Sequence, residues 1–418
     1  MPEPTEQSGA PPDGGRRLPS LWRSANFLKF IATRWFNALG VQLITVTVGW
    51  QIYVMTSDPL DLGLVGLAQF APIFFLFLAA GLAADRLNRR AILAGCNLIH
   101  VVVAGFLLVY ALGGATAPWP VFLVLLLHGS ARAFYSPSLA SILPNLVDRQ
   151  QFASAVAYST SVEKLTQLAG PALAGVLIAL IGMWVYAIAL GSFAIAVGCA
   201  ALLVSPRRER PRRAIGFGEL VSGFSYVWRT RLILAVMSLD LVAILFSGIL
   251  GMLPVFARDI LDIGPEGLGV LRAMPAVGGV VVGFFLTQLP LRENVGLKLI
   301  ASCVVIGATS SAFALSDVLW LSLTLLVLFG AADMVSTNIR HTLVQMVTPD
   351  EMRGRVASVH SVMSNASNEI GDFRAGASAA VIGIVPAVAA GGLVTVALSL
   401  LWWRMFPGLH GVNMYGRR

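Results

Sequence analysis

The sequence predicts an all-α membrane protein with twelve transmembrane helices in two pseudo-symmetric six-helix bundles. Three observations carry that expectation. The 418 residues are 57% hydrophobic and only 12% charged, with a mean hydropathy of +0.79; a soluble domain carries about twice that share of charge. The apolar residues gather into twelve stretches, each near the ~20 residues that cross hydrocarbon. The cations fall in alternate loops, as they do when one membrane face is cytoplasmic.

The stretches run approximately over 27–55, 61–83, 91–113, 119–142, 153–180, 184–204, 232–257, 266–289, 296–314, 319–343, 356–382 and 388–406. Even-numbered loops and both termini hold nearly all Lys and Arg, among them Arg149, Arg292, Lys298, Arg353, Arg355, Arg404, Arg417 and Arg418. Odd-numbered loops hold one, Arg258, beside Asp58, Asp61, Asp259, Asp262, Glu266 and Asp317. Both termini are therefore expected on the cytoplasmic side of a cell (inner) membrane. Residues 1–26 read as a disordered cytoplasmic tail: 1–20 are rich in Pro, Gly and Ser, with no apolar core for a signal peptide. An N-terminal bundle over 27–204, a basic cytoplasmic linker over 205–231, a C-terminal bundle over 232–406 and a tail over 407–418 complete the order. The linker holds five arginines between Arg207 and Arg213, read as an inside signal ahead of an anionic-lipid site, and an amphipathic piece from Phe217 to Trp228.

The two halves read as a repeat. A shift of 201 carries Gly170, Ala174, Gly175 and Gly182 onto Gly371, Ala375, Gly376 and Gly383, and Arg132 onto Asp333. A shift of 203 carries Gly66, Gln69 and Pro72 onto Gly269, Arg272 and Pro275, and Asn37 onto Asp240. Parallel repeats of six helices are a transporter architecture, with the substrate site between the halves near the midplane.

The densest charge cluster is Gly81-Leu82-Ala83-Ala84-Asp85-Arg86-Leu87-Asn88-Arg89-Arg90, between the second and third stretches. This Gly-x-x-x-Asp-Arg-x-x-Arg-Arg pattern resembles the loop signature of the major facilitator superfamily. Asn88 stands where that family usually has Gly, and Asn tolerates left-handed backbone angles. Gly170-Pro171-x-x-Ala174-Gly175 resembles the family's antiporter motif, with one Gly changed to Ala. Gly49-Trp50-Gln51-Ile52-Tyr53, Phe134-Tyr135-Ser136-Pro137, Thr348-Pro349-Asp350-Glu351-Met352-Arg353-Gly354-Arg355 and Asn365-Ala366-Ser367-Asn368-Glu369-Ile370-Gly371 resemble the drug:proton antiporter branch that includes the enterobactin exporter. Residues 121–128 contain no Arg, so the family's arginine motif of the fourth span is not carried onto Arg132.

The resemblance implies a gate made by Gly81, Asp85, Arg86, Arg89 and Arg90, with Asp85 meeting the start of the eleventh span. Thr348-Pro349-Asp350-Glu351 reads as a capping box there, and a carboxylate is stabilised at a helix N-terminus. It also implies that spans 1, 4, 7 and 10 line the cavity. Trp35, Asn37, Gln42, Gln51 and Tyr53, with Phe134, Tyr135 and Asn338, are the aromatic and amide candidates for a bulky amphipathic substrate.

Ionisable groups inside apolar spans are costly and mark function or neutralising pairs. Asp240 has no basic residue within one turn and ranks first as a proton carrier, followed by Asp333 and Glu163. Glu369, Asp372 and Arg374 carry both signs within two turns and read as charge pairs that lock helices; Arg34 lies in the first span. His100 and His128 read as hydrogen-bonded packing residues, and Cys96, Cys199 and Cys303 have neither metal nor disulfide spacing.

No metal, cofactor or nucleotide motif stands out: Gly-x-Ser-x-Gly, His-Glu-x-x-His, Cys-x-x-Cys and the P-loop pattern are all missing. An enzyme is therefore not expected. The net charge of +8 sits in loops between spans and makes no nucleic-acid face. The expected function is proton-coupled export of a drug or siderophore by a monomer in the bilayer, using alternating access. Solute uptake and lysophospholipid flipping stand as alternatives, with sodium as another possible coupling ion.

Overall fold

The computed structural model describes residues 21–148, 150–204, 217–288 and 293–409; within them the side chains at 77–78, 84–86, 217–221, 350, 358, 361 and 365 lie outside the description. Fourteen α-helices make up nearly all of it: α1 (Ala25–Thr56), α2 (Pro59–Arg86), α3 (Arg89–Leu112), α4 (Trp119–Leu146), α5 (Phe152–Ile181), α6 (Val185–Ala201), α7 (Phe217–Arg229), α8 (Arg231–Ser247), α9 (Ile249–Val255), α10 (Gly264–Gln288), α11 (Val295–Ala314), α12 (Leu319–Val347), α13 (Asp350–Ile382) and α14 (Ile384–Met405). The amphipathic piece of the linker is α7. The seventh apolar stretch is broken into α8, α9 and a π-helical turn, Phe256–Ile260.

Helix ends follow local chemistry. Asp58 caps α2 by accepting from the Leu60 N–H at 2.8 Å, with Pro59 in the first helical position. Asn88 caps α3 through the Arg90 N–H at 3.1 Å with φ −70°, so it serves as a side-chain cap and not as a left-handed stand-in for Gly. The capping box expected at Thr348 does not form. Pro349 is the cap residue of α13, and the Thr348 hydroxyl donates back to the Val344 carbonyl. Gly182 (φ 57°) and Gly383 (φ 87°), the pair related by the 201 shift, close α5 and α13 in backbone conformations that suit only glycine.

Nine helical segments among the described residues are long and apolar enough to cross a membrane. The difference from twelve has a physical source. α5 and α6 form one 50-residue apolar segment, interrupted only by the tight turn Gly182–Trp184. α4 contains Arg132, His128 and two internal prolines, and α13 contains Glu351, Arg353, Arg355, Glu369, Asp372 and Arg374, so neither has an apolar window. The chain is thus an all-α, multi-span membrane protein.

Buried apolar residues form three clusters whose membership explains the shape. One lies at the end of the bundle where α1 stops and α2 begins, and it mixes Tyr53, Leu62 and Val65 with Ile249, Leu253, Leu268 and Ala375. At the opposite end the clusters separate. Phe27, Phe30, Leu93, Leu139 and Ala200 form one, and Ile233, Leu239, Leu299, Leu343 and Val356 form the other. Sequence before and after the linker therefore shares a core at one end only.

Glycine contacts fix how that shared end is made. A Cβ on Gly175 of α5 would lie 2.6 Å from the Gly269 Cα and the Pro265 carbonyl oxygen of α10. A Cβ on Gly376 of α13 would lie 2.5 Å from the Pro59 oxygen and 3.1 Å from the Gly63 Cα of α2. Within each half, Gly129 sits on the Gln69 carbonyl and Gly330 on the Pro275 carbonyl in the same way. These equivalences keep the 201 shift for α4, α5, α12 and α13. For α2 and α10 they require 206, which carries Pro59, Gly63 and Gln69 onto Pro265, Gly269 and Pro275. The shift of 203 is therefore corrected: Arg272 matches Gly66, not Gln69.

Close backbone approach through small residues is how helices pack in lipid. A Cβ at Gly330 would collide with the Pro275 carbonyl oxygen, whereas Gly191 has open space around it. Gly330→Ala is expected to lower the unfolding temperature in detergent, overpacking costing ~1–3 kcal/mol or more. Gly191→Ala is expected to hold or raise it, since Ala favours a helix by ~1 kcal/mol.

Candidate functional site

Below the shared apolar cluster lies a cavity of about 540 Å³. It is walled by α1, α2, α4, α5, α9, α10 and α13, and therefore by both halves. Three arginines (Arg34, Arg132, Arg272) and three carboxylates (Glu163, Glu369, Asp372) reach it. Asn37, Gln42, Gln69 and Gln167 add amides; Val41, Leu62, Val65, Leu139 and Leu250 add apolar surface; Tyr135 adds the aromatic ring.

The charged groups are held differently. Arg34 of α1 pairs with Glu163 of α5 across the cavity floor. Arg132 of α4 donates to the Gln69 side-chain oxygen at 3.3 Å. Arg272 of α10 has a buried Nε without a hydrogen-bond partner among the described residues. Asp372 accepts from the Gly251 backbone N–H of α9 at 3.2 Å. Glu369 faces α2 at Gly66, where a Cβ would come within 3.0 Å of its Oε2. Gly66 thus leaves room for a carboxylate between the halves.

Several expected site residues lie here and several do not. Asn37, Gln42, Tyr135 and Glu163 line the cavity; Gly170 packs on the Gln42 side chain, with Pro171 and Gly175 behind it at the crossing with α10. Trp35, Gln51, Phe134, Asp333 and Asn338 are not on the wall. Gln51 is buried and accepts from the Tyr186 hydroxyl at 2.6 Å, and Phe134 packs in the apolar cluster of its own half. α12 contributes no lining residue, so the expected wall of spans 1, 4, 7 and 10 is replaced by one richer in α2, α5, α10 and α13.

The reading of Asp240 as an unpaired carboxylate is overturned. Arg340 of α12 forms an ion pair with it, both side chains only 5% exposed, away from the cavity. A partner on another helix is invisible to spacing along one span. Glu369, Asp372 and Arg374 are not charge pairs either. No ion pair links them among the described residues; Arg374 turns away and donates to the Leu245 and Phe246 carbonyls at 2.9 and 2.8 Å. Those carbonyls are freed because Gly248 (φ 44°) ends α8, and a cation at a helix C-terminus is favourable. The His100 and His128 rings pack at a tilt with centroids 4.5 Å apart, and none of their four ring nitrogens has a hydrogen-bond partner among the described residues, so the expected hydrogen bonds are not made.

Three cavity residues, Gln69, Arg132 and Arg272, were not expected there. The repeat alignment was the available signal, since it singled out all three, but periodicity alone could not say which way they point.

Of the Asp85 cluster, Arg89 donates to the Ser141 carbonyl at 2.8 Å and ties α3 to α4, Arg90 is exposed, and Gly81 has open space around it. The side chains of Asp85 and Arg86 lie outside the described residues.

At the opposite end, the halves are latched over the cavity. The Tyr53 hydroxyl of α1 bonds to the Asp259 carboxylate on the π turn. Arg258, beside it, donates to the Tyr53 carbonyl at 3.0 Å and the Ser57 hydroxyl at 3.1 Å, and its guanidinium stands 5.4 Å from the Tyr53 ring centroid.

Residues 22–410 match the family model described as transmembrane secretion effector. The chain belongs to this family of the major facilitator superfamily. The enterobactin exporter EntS of Salmonella typhimurium is 24% identical over 382 residues, covering 90% of this chain and 91% of that protein. EntS of Citrobacter koseri is 25% identical over 381 residues, covering 90% of each. In fold, the chain resembles the nucleoside transporter NupG (TM-score 0.67, 17% identity, 92% and 98% covered). It also resembles a bacterial homologue of the iron transporter ferroportin (TM-score 0.68, 17% identity, 94% and 100% covered). The protein is a multi-pass secondary transporter of small molecules, not an enzyme.

Removing one partner of a buried ion pair leaves an uncompensated charge and costs ~3–5 kcal/mol, whereas replacing both can be neutral. Arg340→Met is therefore expected to lower the unfolding temperature sharply, and Asp240→Leu/Arg340→Met to recover most of the loss. A double variant no better than the single one would contradict a structural role for the pair.

Proposed function

We propose that this transporter exports a bulky amphipathic compound in exchange for protons, by alternating access between two six-helix bundles. The halves are residues 27–204 and 232–406, joined by the linker 205–231. The twelve spans follow when the 50-residue segment is counted as α5 and α6, α4 and α13 are admitted, and α7 is left to the membrane face. Arg132 of α4 and Glu369 and Asp372 of α13 then face the cavity, where polarity is tolerated, and Arg374 is satisfied by the α8 carbonyls. Alternate-loop cations support both termini being cytoplasmic and an inner-membrane location. In that orientation the Tyr53–Asp259–Arg258 latch lies outside, and the separated ends of the halves open to the cytoplasm.

The observation that carries the reading is a charged cavity walled by both halves, whose cores merge on one side of it and part on the other. A molecule entering from the cytoplasm would meet amides, aliphatic surface and three charges of each sign, a lining suited to a large ligand with polar and apolar parts. The relatives named as enterobactin exporters make siderophores the first class to test. Closing the inner mouth would bring Asp85 to the start of α13, where its charge helps hold the closed state. The protein acts as a monomer in this scheme.

Proteoliposomes with an imposed pH gradient and an internal pH dye provide the test, with siderophores, cationic drugs and lysophospholipids added singly. Proton movement that depends on one compound is expected. No compound-dependent proton flux, with intact protein, would replace antiport by uniport or lipid flipping. Asp85→Asn is expected to insert normally and lose most of the flux; undiminished flux at equal protein would remove the gate from the account.

A further inference from the structure

We propose that Glu369 and Asp372 of α13, facing Arg272 of α10 across the cavity, are the proton-binding site, and that Asp372 reports its occupancy to the outer latch through α9. The proposal rests on the proton-coupled reading above and assigns its coupling groups.

Three carboxylate positions compete for that role inside the spans. Asp240 and Glu163 are each held in an ion pair by an arginine, Arg340 and Arg34. Asp333 has no ion-pair partner among the described residues but lies off the cavity wall. Glu369 and Asp372 alone combine a place on the wall with the lack of any ion-pair partner within 4.0 Å among the described residues. They stand three positions apart on one helix, so they share a face, and two carboxylates in one site resist carrying two negative charges. The charges acting on the pair are few. Arg374 on the same helix acts on Asp372, Arg272 from α10 acts on both, and Arg132 from α4 acts on Glu369. α2 meets α13 at Gly63 and Gly66, and α9 meets it at Gly251, with backbone and no charge.

The geometry also supplies a transmission path. Gly251 is pressed against Asp372: a Cβ there would lie 2.5 Å from its Cγ, and the Gly251 N–H is bonded to its Oδ1. α9 runs from this contact directly into the π turn Phe256–Ile260, which bears Arg258 and Asp259, the two latch residues that grip Tyr53. A proton on Asp372 removes the charge from that hydrogen bond, which is about half as strong between neutral groups. It also releases Arg272 from the attraction of the ionised pair. The short, rigid run from Gly251 to Asp259 carries the change to the outer mouth, where the latch loosens. Deprotonation re-forms it.

The test needs no substrate. Spin labels at the exposed outer-loop positions Thr116 and Asp317, in a Cys-free background in nanodiscs, report the width of the outer mouth by double electron–electron resonance. Between about pH 5 and pH 8 the wild type is expected to shift from a longer to a shorter distance population. Asp372→Asn keeps an oxygen for the Gly251 N–H and is expected to hold the low-pH population throughout; Glu369→Gln is expected to shrink the shift. Asp333→Asn, off the cavity wall, should leave it in place. A variant distribution coinciding with one wild-type population shows that the variant is folded, and a misfolded Asp372→Asn leaves the decision to Glu369→Gln. A wild-type shift that survives both substitutions overturns this site while sparing proton coupling. A wild type whose outer mouth ignores pH overturns the site and the proton-coupled reading together.

Discussion

The two backbone crossings between the halves, Gly175 on Gly269 and Gly376 on Gly63, constrain everything else. Lipid offers helices no hydrophobic drive to associate, so contact must come from close packing and from polar groups. At these crossings no side chain intervenes, and the helices lie as near as main chains allow. Such a contact is thin and smooth. In the proposed cycle it serves as a pivot that leaves the packing of the separate cores below, around Phe30 and around Leu239, undisturbed. The cavity exists because the halves meet at one end and diverge from it.

Charge placement follows from the same geometry. A charge in a span survives only if it is paired, bonded to backbone or turned to a polar cavity. All three solutions occur. Asp240 and Arg340 neutralise each other within the C-terminal half, and Arg374 spends its donors on the open end of α8. Arg132, Arg272, Glu369 and Asp372 turn to the cavity. These four form no ion pair among the described residues and border a cavity walled by both halves, so in the proposed cycle a change in their charge alters how one half sits on the other.

Much of the fold was legible from residues. Span length and loop cations predict where the helices lie, and the 201 shift pairs Gly182 with Gly383, which close α5 and α13. The site was legible in part. Asn37, Gln42, Tyr135 and Glu163 reach the cavity, and their polarity in an apolar span was the clue. Asp240 misled because its partner, Arg340, comes from a helix 100 positions later, beyond any spacing rule. The register of α2 against α10 misled because short Gly and Pro matches fit shifts of 203 and 206 alike; the carbonyls beneath Gly129 and Gly330 and the crossings at Gly175 and Gly376 choose 206. Arg272 was therefore aligned with Gln69 and not with Gly66, and its place on the cavity wall did not show.

In the proposed cycle the outer and inner mouths exchange closure. The most direct measurement follows two label pairs together: Thr116 with Asp317 outside, and Gln150 with Met346 inside, all exposed. Both are compared in the parent protein and in Tyr53→Phe/Arg258→Ala, which lacks the latch. The outer distance is predicted to lengthen and the inner one to shorten, with matching population changes. An outer mouth that opens while the inner distance stays fixed would contradict alternating access about the glycine crossings.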